Sequence, residues 1–255
     1  MLASLLPGFR EVRSALVAGY MWFCAAWLLW PPAGPQLLER PAIELLDLFG
    51  TGGRLVAISV LCLLVGEVTS ALVHGLFFQL SARYLRRLTP ANFGDRLSGL
   101  LSPFRPVSRR GMNRVRGRVR REYLQHQEET TSESSPRTVD EHEVDRLALA
   151  ALHEVLFMSP RLIVAKPELY AEFSRVRGEC VFRDAILLPL PVLGVAIATN
   201  LSVATSLKVA VIVSVLLVDG YLFAQARKLF RDAHSLIAHS LADGTISSAA
   251  MSDRD

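Results

Sequence analysis

The stretch from Leu55 to Leu80, LVAISVLCLLVGEVTSALVHGLFFQL, decides the fold class, because only Glu67 and His74 interrupt its apolar run. A bilayer core about 30 Å thick is crossed by roughly 20 mostly apolar residues in helix, and this run is long enough. Three other runs approach that length. Ala15 to Trp30 (ALVAGYMWFCAAWLLW) is entered after Arg13 and stopped by Pro31-Pro32. Ala185 to Thr199 (AILLPLPVLGVAIAT) is short unless it borrows neighbours, reaching about residue 201, and Pro189 and Pro191 should kink it. Leu207 to Ala226 holds Lys208 near its start, which should snorkel to the interface, and Asp219 within it. A chain of 255 residues that is 51% hydrophobic has too little remaining to cover four such helices in water.

These runs predict an all-α, polytopic membrane protein with four transmembrane helices. They form two hairpins, residues 1–82 and 184–226, with a helical region between the second and third crossings. A cleaved signal peptide is the alternative for the first run, since a short basic leader precedes it. Its tryptophans and the Pro31-Pro32 context speak against cleavage.

Arginine sets the orientation. Between Arg83 and Arg121 stand twelve arginines and one acid, Asp95. Arg10 and Arg13 precede the first run, and Arg227, Lys228 and Arg231 follow the fourth. The segment from Trp30 to Gly53 carries Arg40 against Glu39, Glu44 and Asp47, and Asn200 to Ser206 carries no charge. Positive flanks stay in the cytoplasm, so both termini and the central region should face inward, with residues 227–255 as a cytoplasmic tail. The scarcity of lysine, 3 against 25 arginines, suggests a GC-rich bacterium and hence the bacterial plasma membrane.

The intramembrane polar residues are the candidate site. A charge at mid-bilayer costs about 2.5–3.5 kcal/mol on insertion scales and so should face protein or water. Glu67 lies near the middle of its run, and Ser59, Gly66, Ser70, Ala71 and His74 give that helix a small, polar side. His74 and Asp219 both lie roughly 12–14 Å above the cytoplasmic boundary at 1.5 Å per residue, so a His74–Asp219 hydrogen bond is geometrically allowed. Glu67, Ser70, His74 and Asp219 therefore read either as interhelical glue or as an ion path. Four small-residue pairs, Ala15-xxx-Gly19, Gly66-xxx-Ser70, Ala71-xxx-Gly75 and Gly194-xxx-Ala198, favour close helix approach and a compact bundle or oligomer.

The central region, residues 83–138, is basic and then acidic. Arg109, Arg110, Arg114, Arg116, Arg118, Arg120 and Arg121 would contact anionic inner-leaflet headgroups at about 1 kcal/mol per arginine, or serve simply as the signal that keeps the segment inside. Nucleic acid is the weaker alternative, because no aromatic platform is interleaved. Glu122 to Asp145 holds eight acids and one arginine, which suggests pairing with the basic block within or between subunits. EETTSESSPRT, residues 128–138, reads as a disordered linker. Residues 139–183 read as a helical pair. Val144, Leu147, Ala148, Ala151, Leu152, Val155 and Leu156 recur at helical spacing, and a second helix starts at Pro167 with the stripe Leu169, Phe173, Val176 and Cys180. Leu38 to Phe49 could form a short helix on the outer leaflet.

Enzyme signatures are absent. His153-Glu154 lacks the second histidine of HExxH, Gly50-Thr-Gly-Gly lacks a phosphate-loop lysine, and no GxSxG or GxGxxG occurs. Cys24, Cys62 and Cys180 are too dispersed for a disulfide scaffold or a CxxC metal motif. The cluster Asp140 to Asp145 could ligate a metal but fits helix capping better. The sequence thus predicts no cofactor, no metal and no catalysis. It predicts a non-enzymatic interaction or effector subunit assembling through its helices, as a homo-oligomer or with a membrane or soluble partner protein. An ion channel or proton-coupled permease using Glu67, His74 and Asp219 is the alternative.

Overall fold

The computed structural model describes residues 7–30, 50–87, 106–130 and 140–248. The expected outer-leaflet helix and residues 131–138 of the expected linker lie outside them. Among the described residues every regular element is a helix: α1 (Pro7–Leu29), α2 (Gly50–Arg87), α3 (Arg109–Thr130), α4 (Glu141–Val155), α5 (Ser159–Ala165), α6 (Pro167–Ile186), α7 (Pro189–Asn200) and α8 (Thr205–Ala242). Four segments are long and apolar enough to cross a membrane: Val12–Leu29, Gly52–Arg83, Pro167–Asn200 and Thr205–Ala242. The four apolar runs read from the sequence fall on these segments.

Two features differ from the simplest reading of the runs. The third candidate span is broken: α6 ends at Ile186, and α7 begins at Pro189, where the missing proline N–H falls on a helix start that needs no donor. With 12 residues α7 is too short to cross alone. The fourth helix does not stop at Ala226 but continues to Ala242, so much of the expected tail is helical. The turn that closes it contains Gly244, whose φ of 74° is left-handed, and the Thr245 and Ile246 amides donate to the Ser240 carbonyl.

The chain divides into two units. The first comprises residues 1–76 and 178–226, the second residues 77–177 and 227–255. In the first unit, α1 and α2 cross at glycine. A Cβ added to Gly19 would overlap the Cys62 carbonyl oxygen, and one added to Gly66 would overlap that of Ala15. The backbones touch because no side chain intervenes. Tyr20 and Ser59 share a hydrogen bond of 2.6 Å across the same pair, and the Asn200 amide donates to the Leu28 carbonyl at 2.8 Å, joining α7 to α1. Outward-facing apolar side chains surround this packing. Leu61, Leu64, Val68 and Leu72 of α2, and Leu207, Val209, Val213, Leu216 and Leu217 of α8, are all more than half exposed except Val213 at 48%. Water would penalise so large an apolar surface, whereas lipid or neighbouring helices would not.

The second unit has an ordinary buried core. Val144, Ala148, Ala151, Leu152 and Val155 of α4 are fully buried, as the helical spacing predicts. Met112, Val115 and Val119 of α3 are buried too, an apolar stripe running through the arginine-rich segment. Ile237, Ala238 and Leu241 complete it from α8. The α4 helix bends by 83° into α5 at Ser159-Pro160. Asp140 is its N-cap, accepting from the His142 and Glu143 amides at 3.0 and 3.3 Å. Asp140→Ala should destabilise α4 by about 1 kcal/mol, measurable as a lower thermal midpoint, whereas Asp140→Ser should retain most of the stability. Within this unit α4 lies against α3, and Phe173 of α6 meets His234 of α8 edge-on at 6.0 Å.

Candidate functional site

The polar residues of the first unit separate into three environments. Ser70 is buried one turn beyond Gly66 on α2, so it belongs to the closely packed side of that helix. Glu67, beside that packed side, is itself exposed, as are Leu64 and Val68 at 58% and 60%. His74 is two turns further along α2 and is partly buried.

His74 does not bond Asp219. Its Nδ1 stands 3.8 Å from the Asp184 carboxylate of α6, and Asp184 is wholly buried. Asp219 is half-buried on α8, and its Oδ1 has no hydrogen-bond partner among the described residues. Depth along the bilayer normal allowed the His74–Asp219 pair, but depth says nothing of which helix face each residue occupies. Asp184 is the residue that sequence reasoning missed. It stands four residues after Cys180 and therefore continues the Phe173, Val176, Cys180 stripe that was read as apolar. The Cys180 thiol lies 3.7 Å from the Asp184 carboxylate and donates to the Ala226 carbonyl at 3.3 Å, which ties α6 to α8. Asp184, His74 and Cys180 thus link α2, α6 and α8 by polar contacts. When His74 is protonated the first contact becomes an ion pair; when neutral it is a dipolar contact.

No family model, no curated protein and no solved structure matches this chain. Its chemistry is read from its own side chains.

In the second unit the arginines of α3 divide by helix face. Arg116 pairs with Asp145 at 2.5 Å and with Glu141 at 3.2 Å, and Arg120 reaches Glu141 at 3.0 Å. The basic and acidic blocks therefore pair within one chain. Arg118 pairs with Glu122 and donates to the Ala242 carbonyl at 3.4 Å, placing its charge at the α8 C-terminus where the helix dipole favours a cation. Arg110, Arg114 and Arg121 are exposed. Their spacing of four and then seven residues puts them on one side of the helix. The side chain of Arg109 lies outside the described residues. Of the seven arginines expected to meet headgroups, three are turned to intramolecular partners and three are presented outward.

A buried cation was not foreseen. Arg227, placed by the sequence in a basic flank, is only 2% exposed and stacks on the Phe77 ring at 3.8 Å, with Phe230 at 5.5 Å. Ala226, Phe230, Ala233, Ile237 and Leu241 continue a helical stripe past it, and that spacing was the available signal. Among the described residues no three histidine, cysteine or acidic side chains stand close enough to hold a metal, and Asp140 of the acidic cluster is engaged as a cap.

Proposed function

We propose that the chain is a non-enzymatic, multi-pass protein of the bacterial plasma membrane that assembles with further copies or a membrane partner through its apolar helices. In this reading its two hairpins bracket a cytoplasmic unit that recognises a partner protein, and both termini are cytoplasmic. Arg110, Arg114 and Arg121 face anionic inner-leaflet lipid.

The observation that carries the reading is the position of Glu67. A carboxylate in the middle of an apolar helix, left exposed by its own chain, is costly in lipid. A neighbouring transmembrane helix removes that cost by hydrogen bonding to it. Glu67→Leu should therefore reduce a stable assembly to monomers, and Glu67→Gln, which retains hydrogen bonding, should preserve it. Subunit counting by single-molecule photobleaching in nanodiscs checks this. A monomeric wild type, or a Glu67→Leu variant with unchanged stoichiometry, contradicts assembly through this face.

A second reading, an ion or proton path, is favoured by the grouping of His74 with Asp184 and the additional acids Glu67 and Asp219 in the same unit. Proteoliposome flux that is lost in His74→Ala would select it over the assembly reading; vesicles that remain inert would remove it.

A further inference from the structure

The first unit contains a cavity of about 400 Å3, lined by Arg13 of α1, Gly178, Glu179, Phe182 and Arg183 of α6, and Leu222 of α8. Its size lies within the roughly 300–1,000 Å3 typical of ligand sites. Its walls are of two kinds. Phe182 and Leu222 are apolar, while Arg13 and Arg183 bring guanidinium groups from different helices. Arg13 stands over the Phe182 ring at 5.8 Å. Arg183 lies 3.6 Å from the Glu179 carboxylate and also donates to the Glu179 carbonyl at 3.2 Å. Two cations and one carboxylate leave the lining with a single formal positive charge, which matches one phosphodiester. The position has the same character. Arg13 stands at the start of the Val12–Leu29 segment, and Arg183 immediately precedes the apolar run from Ala185. The cavity therefore sits where charged sequence gives way to apolar sequence on both helices.

We propose that this cavity binds the phosphate headgroup of an anionic phospholipid, with Arg13 and Arg183 on the phosphate oxygens and Phe182 and Leu222 against the first part of an acyl chain. Guanidinium groups suit phosphate because their planar N–H pairs match its oxygens. A free phosphate would satisfy the arginines but leave the apolar wall unused. The proposal rests on the apolar helices being embedded in lipid, and incorporation into neutral nanodiscs reports that premise separately.

The experiment is native mass spectrometry of the full chain released from nanodiscs of phosphatidylcholine doped with phosphatidylglycerol. The wild type is expected to retain phosphatidylglycerol over phosphatidylcholine. Arg13→Gln with Arg183→Gln should weaken that retention by at least about tenfold. Gly178→Leu tests the site without altering charge: a Cβ at Gly178 meets nothing within 4 Å, so the larger side chain fills space next to the arginines and should also displace the lipid. Equal retention of the two lipids by the wild type overturns the proposal, as does undiminished phosphatidylglycerol on Gly178→Leu. Displacement of the lipid by millimolar glycerol phosphate would overturn the lipid assignment in favour of a soluble phosphate.

Discussion

Gly66→Val is expected to abolish the native packing of α1 on α2. The added Cβ falls on the Ala15 carbonyl oxygen, a backbone atom that no rotamer change can move aside. The helices must separate, and the matching contact of Gly19 with the Cys62 carbonyl is lost with them. Overpacking usually destabilises by about 1–3 kcal/mol when side chains can adjust; a backbone overlap should exceed that range. The protein in detergent should show a collapsed thermal midpoint and a poor yield of monodisperse material. Gly75→Ala, nine residues along the same helix, is the internal control. Nothing lies within 4 Å of a Cβ there, and alanine favours helix by about 0.8–1 kcal/mol, so this variant should be unchanged or slightly more stable. Equal behaviour of the two variants would contradict the assigned crossing.

Arg227→Ala is the second large effect. The guanidinium is enclosed, stacked on Phe77 and flanked by Phe230, and truncation leaves a cavity between aromatic rings. Loss of a large buried side chain with its ring contacts should destabilise the second unit by about 3 kcal/mol. Arg227→Lys should restore little of this, because a compact ammonium cannot cover a ring as a planar guanidinium does. Differential scanning of the three proteins checks the order: wild type well above both variants. A lysine variant as stable as the wild type would show that charge alone matters at this position.

The apolar runs made the four candidate spans legible, because twenty consecutive greasy residues admit few other readings. Pro189 was legible as the place of a kink, where the structure ends α6 and starts α7 anew. The small-residue pairs were informative only in part. Ala15-xxx-Gly19 and Gly66-xxx-Ser70 meet at the α1–α2 crossing, and Gly194 packs against the Val215 side chain, whereas Ala71-xxx-Gly75 has an exposed alanine and an open glycine. Spacing identifies where helices can approach, not which helix arrives. The same limit explains His74, whose acid is on α6 rather than α8: rotation about each helix axis is fixed by packing between distant segments. Arg227 was hidden by its company, because Lys228 and Arg231 beside it read as a solvated flank while the stripe of small and apolar residues around them continues into the core.

Alkaline carbonate extraction of membranes from cells making the full chain tests the central claim most directly. Four lipid-embedded helices should keep the protein in the pelleted membrane, with release only on adding detergent. Recovery of folded protein in the carbonate supernatant would mean that the exposed apolar faces of α2 and α8 are covered by protein rather than by lipid.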